Sequence, residues 1–203
     1  MKVYRLTADI DRKYAQIHSQ MEQEPKEGIT VMWDDWLVKG NIIPDFIFSV
    51  YSISKTKIIE DLQNRFNGLE KIKLLWEKNP KEEVAKNIHR LKRLPKEKVD
   101  LSAMITTAQI PFLSQSTVVY SMDSGGKKYI DKVIGIENYY GGNLLPRESG
   151  KGFFFDKKAI SDYDFFTPIG IPNTRIYCTE KVKLYIQDKE YTNVYFIEVG
   201  DII

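Results

Sequence analysis

Three side chains, Cys178, His18 and His89, are the chain's whole supply of thiol and imidazole groups. A cysteine or histidine mechanism would have to be assembled from them. Cys178 precedes a predicted helix over 180–187, whose N-terminus favours a thiolate. The same position suits a small buried strand residue. His18 adjoins an apolar stripe and His89 a basic segment, and neither has a carboxylate or second histidine at ligand spacing. A single cysteine excludes an internal disulfide and a cysteine-based zinc site. The spacing therefore predicts no metal, no cofactor and no catalytic residue.

Acidic pairs offer a second chemistry. Asp162 and Asp164 could hold a hard cation or share acid–base work, and Asp34-Asp35 could do the same. Turn formation and capping use the same residues in the same places. Asp123-Ser124-Gly125-Gly126-Lys127-Lys128 lacks phosphate-loop spacing and reads as a hairpin turn.

Large aromatics beside charges suit protein contact instead. Trp33-Asp34-Asp35-Trp36 places two anchors around two carboxylates, and Tyr139-Tyr140 sits in a glycine-flanked loop. Between residues 78 and 98 there are eight Lys or Arg against three Glu, whereas the net charge is only +2. Lys86, Arg90 and Arg93 of a predicted helix over 80–94 form either a solvated face or a patch for an acidic partner. The candidate partner-binding residues are thus Trp33, Asp34, Asp35, Trp36, Lys86, Arg90, Arg93, Tyr139 and Tyr140.

The elements that must position these residues follow from periodicity. Residues 2–6, 29–33, 46–49 and 69–76 read as strands. Ile10, Tyr14, Ile17 and Met21 recur at helical spacing, which predicts a helix over 10–21. Ser54 is expected to cap a helix carrying Ile58, Ile59, Leu62 and Phe66, stopped by Asn67-Gly68. Asn79-Pro80-Lys81-Glu82 opens the 80–94 helix, which Pro95 ends. Beyond residue 100 the texture changes to short strands, with 117–122 and 129–136 forming a hairpin. Ser54–Gly68 and Thr179–Asn193 span equal intervals, so that Phe66 falls on Tyr191, Leu69 on Val194 and Ile72 on Ile197. The expected fold is α+β, a mixed sheet with several packed helices and two related βαβ-like units at 46–75 and 174–199. A single domain over 1–203 is expected, with two lobes meeting near residue 100.

Two signatures resemble an immunity-protein family of bacterial polymorphic toxin systems, formerly a family of unknown function. One is Trp33-Asp34-Asp35-Trp36 leading into Phe46-Ile47-Phe48-Ser49 and the Ser54 helix. The other is Arg175-Ile176-Tyr177-Cys178-Thr179-Glu180-Lys181-Val182, closing with Thr192-Asn193-Val194-Tyr195-Phe196-Ile197-Glu198-Val199. In this chain Cys178-Thr179 stands where a strand-terminal serine is more usual, and residues 77–165 fall outside the resemblance. It implies a cytoplasmic, non-enzymatic protein, made beside a toxin gene, that binds and neutralises its cognate toxin. Two alternatives stay open: an enzyme built on Asp162 and Asp164, and a nucleic-acid binder using the 80–94 helix, which the near-neutral charge disfavours. The opening residues interrupt their apolar run too often for a signal peptide, and no apolar run reaches the roughly 18 residues of a membrane span.

Overall fold

A computed structural model describes residues 1–7, 13–19, 28–33, 40–77, 95, 99–136 and 147–203. Its elements are β1 (Lys2–Thr7), β2 (Ile17–Ser19), β3 (Ile29–Trp33), β4 (Phe46–Phe48), β5 (Ser52–Lys55), α1 (Thr56–Arg65), β6 (Leu69–Trp76) and β7 (Leu101–Thr106). They continue with β8 (Gln109–Ile110), β9 (Val118–Met122), β10 (Lys128–Val133), β11 (Phe153–Phe155), α2 (Lys157–Ile160) and β12 (Phe165–Pro168). The last three are β13 (Tyr177–Thr179), α3 (Glu180–Asp188) and β14 (Tyr195–Ile202). The architecture is α+β and mostly sheet. In place of the several packed helices expected, the described residues hold two multi-turn helices and one of a single turn. The expected 80–94 helix lies outside them.

Two six-stranded sheets, ordered β2-β3-β6-β7-β5-β4 and β11-β14-β1-β13-β12-β8, carry the chain. In the first, β5, α1 and β6 form a crossover, and β7 lies between its two strands, antiparallel to both. In the second, β13, α3 and β14 do the same around β1. The outer partner of the crossover is parallel in each sheet, β3 on β6 and β11 on β14.

α1 buries Ile58, Ile59 and Leu62, and α3 buries Val182 and Ile186. These stripes meet in one core with Tyr4 and Leu6 of β1, Phe46 of β4, Met104 of β7 and Phe165 of β12. Burial of each such aromatic or aliphatic side chain stabilises by about 1.5–3 kcal/mol. The opposite faces of the two sheets build separate cores. One holds Ile29, Val31, Ile53 and Leu74; the other holds Phe153, Phe155, Phe166 and Tyr177 and packs Val118, Ile130 and Val133 of the β9–β10 hairpin against it.

The sheets are tied by two reciprocal clasps. The Asp45 carboxylate accepts the Thr192 amide at 2.8 Å, the Thr192 hydroxyl at 3.0 Å and the Lys55 ammonium at 2.8 Å. Phe46 N donates to Thr192 O at 3.3 Å. Across the molecule, the Asp164 carboxylate accepts the Asn67 amide at 3.3 Å and pairs with Lys181 at 2.5 Å, while Phe165 N donates to Asn67 O at 2.9 Å. Rings repeat the pattern: Tyr191 packs on Phe46 and Phe66 on Phe165. The turn residue is left-handed in both, at φ +60° for Asn193 and +94° for Gly68. Buried or half-buried carboxylates are tolerable here because charge-assisted donors replace their water.

Asp45, Asp61 and Asp201 all have carboxyl pKa values held below the ordinary range. At Asp45 burial pushes upward, but the Lys55 and Thr192 donors outweigh it. The Tyr185 hydroxyl does this for Asp61, and Lys2 and Arg147 outweigh burial at Asp201. A folded-state value below the unfolded one, about 3.9, means their contribution is complete above about pH 4 and is lost as pH falls through the folded values. The urea midpoint should therefore drop as pH is lowered below about 4, and D45N should flatten that drop. A midpoint level down to about pH 2 would contradict the clasp.

Three sequence expectations need correction. The 10–21 helix is absent over its described part: Ile17–Ser19 is a strand, with Ile17 opposite Trp33 and Ser19 opposite Val31. Long-range pairing with β3 overrides the local helical spacing. Ser54 is not a helix cap. It lies buried in β5 opposite Phe46, and its hydroxyl donates to Asp45 O at 2.6 Å, so α1 starts two residues later without a side-chain cap. Consequently β5, rather than 46–49, leads into α1. Thr179 does occupy the N-cap of α3, although its side chain makes no cap bond.

Candidate functional site

Parallel pairing of β3 with β6 sets Val31 opposite Trp76, and Trp33 follows on the same face two residues later. The indole rings lie 5.0 Å apart at 36°. Trp33 is half-buried against the core that holds Ile29, Val31 and Leu74. Trp76 is 43% exposed, and Leu75, on the opposite face, is exposed as well. Glu77 N donates to Val31 O at 2.9 Å, which fixes the strand end carrying the pair. A tilted indole pair of this kind presents a rigid apolar surface that loses little side-chain freedom on contact.

Of the residues singled out in the sequence, Trp33 is thus placed at the margin of a core with one flank stacked on Trp76. Asp34, Asp35, Trp36, Lys86, Arg90, Arg93, Tyr139, Tyr140 and His89 lie outside the described residues. Sequence reasoning missed Trp76. The only local signal was its place at the end of a predicted strand, and its partner became apparent only through the β3–β6 pairing.

The acidic and nucleophilic candidates go elsewhere. Asp164 is buried in its clasp, whereas Asp162 is exposed and accepts from the Ser161 hydroxyl at 3.2 Å, so the two carboxylates do not converge. Cys178 is fully buried in β13, and burial pushes its thiol well up. His18 is exposed on β2. Among the described residues no three His, Cys, Asp or Glu side chains gather as metal ligands would. The 123–126 segment is the expected hairpin turn: the Asp123 carboxylate accepts the Gly125 and Lys127 amides at 2.9 and 2.8 Å. No described helix is long and apolar enough to cross a membrane.

The chain matches no protein-family model and no curated protein.

Proposed function

We propose that this protein is a non-enzymatic binding module, a cytoplasmic immunity protein that binds and neutralises a cognate bacterial toxin. The observation that carries this reading is the Trp33–Trp76 pair, its tilted rings 5.0 Å apart and Trp76 43% exposed. Tryptophans held by a rigid strand pair are the residues that dominate binding energy in protein interfaces. Asp34, Asp35 and Trp36 follow Trp33 directly in sequence and belong to the same proposed partner-binding set. The mechanism is steric: a preformed surface of roughly 800 Å² covers the toxin's active site. The basic 78–98 segment, with Lys86, Arg90 and Arg93, steers an acidic partner toward it.

The same proposal takes units 46–75 and 174–199 as copies of one ancestral strand–helix–strand element. The reciprocal Asp45–Thr192 and Asp164–Asn67 clasps support it. A duplicated, well-tied scaffold suits a protein that must present a rigid face.

Co-expression with the product of the neighbouring gene tests the function. Cells making both proteins are expected to grow, and cells making the product alone are expected to stop. Persistent growth arrest despite abundant folded protein would rule the reading out.

A further inference from the structure

Arg5 and Arg175 converge without an acidic partner among the described residues. Arg5 lies in the centre of its sheet on β1, opposite Tyr177 of β13, and Arg175 enters the same region from the turn before β13. Both guanidiniums act on the Tyr177 hydroxyl, pulling its pKa down, although burial prevails and holds it above the ordinary value. Neither arginine makes an ion pair with a described residue, unlike Arg65, which pairs with Asp61, and Arg147, which pairs with Glu198 and Asp201.

The two arginines stand between two hollows. One is a cleft of about 420 Å³ between the β4–β5 turn and the 172–175 turn. Leu6, Phe48, Val50 and Pro172 form its apolar wall, Ser52 and Thr174 add hydroxyls, and none of its described lining residues is acidic. The other is a chamber of about 140 Å³ beneath β10, which adds Lys132 and a single acid, Asp131. Among the described lining residues of both hollows, three cations face one anion. Guanidinium stays protonated at any working pH, so the two arginines offer an anion permanently charged, forked donors.

We propose that this cleft binds an oxyanion, a carboxylate or phosphate monoester, carried on a small apolar body. Arg5 and Arg175 grip the anion in forked hydrogen bonds, and the Phe48 and Val50 wall takes the body. The site goes beyond the partner-binding reading and does not depend on it.

Phenyl phosphate, phenylacetate and the neutral benzyl alcohol are the probes, titrated calorimetrically into the whole protein at about 0.15 M salt. Saturable one-to-one binding is expected for at least one anionic probe and not for benzyl alcohol. The stronger anion identifies the headgroup. R175Q is expected to weaken that binding about tenfold or more while leaving the urea midpoint unchanged, because its side chain is exposed and outside the sheet. R5Q should act likewise, and if its central position prevents folding, R175Q decides alone. Absence of saturable binding for both anions, or equal affinity in R175Q, would overturn the proposal.

Discussion

Replacing Phe165 with alanine is expected to destabilise the fold by about 3–5 kcal/mol, the cost of an aromatic removed from a packed interior. Phe165 is fully buried at the start of β12 and belongs to the core that α1 and α3 share. Its ring meets Phe66 edge-on with centroids 6.2 Å apart, and its backbone amide is held by Asn67 O. The cavity left by F165A therefore opens at the joint between the two sheets, where hydrogen bonds limit collapse. F46A sits at the reciprocal joint, fully buried against Tyr191, and should cost a comparable amount. Urea unfolding of both variants checks this. A loss below about 1 kcal/mol for F165A would mean that the shared core does not hold the sheets together.

Gly68→Ala is the second large effect, about 3 kcal/mol, from a left-handed backbone combined with overpacking. Gly68 has φ +94°, and a Cβ there would lie 2.0 Å from the Phe165 carbonyl oxygen. That neighbour is backbone, fixed in turn by β12 pairing, so it cannot swing away. Gly126 provides the control. Its φ is +78°, but a methyl group on this exposed hairpin turn would meet nothing within 4 Å, so G126A should cost only about 1 kcal/mol. Equal thermal shifts for G68A and G126A would contradict the close approach of the two clasped segments.

These effects show where the sequence was readable. Strands at Ile29–Trp33 and Leu69–Trp76 lie where their apolar patterning predicts them, and the Asp123 turn joins β9 to β10 as expected. The stop after α1 was legible because Gly68 must adopt a positive φ. Ser54 misled because a serine before an apolar helical stripe is a cap signal, yet here its hydroxyl is drawn to the Asp45 carbonyl by the β4–β5 pairing. Ile17 misled for a related reason: β2 exists through its contact with β3, which local spacing does not encode. The candidate site was half legible. Trp33 stood out by type and neighbours, but its stacking on Trp76 depends on parallel strands distant in sequence. Arg5 and Arg175 carried no local signal at all, since only the β1–β13 pairing brings them together.

Binding of a protein partner at the Trp33–Trp76 face is open to direct measurement. Its most direct test is a calorimetric titration of the purified protein against the product of the neighbouring gene, repeated with W76A. The expected result is a one-to-one complex of nanomolar or tighter affinity, weakened about thirtyfold or more by W76A, with folding unaffected. Absence of a complex at micromolar concentrations, or a complex that W76A leaves unchanged, would contradict it.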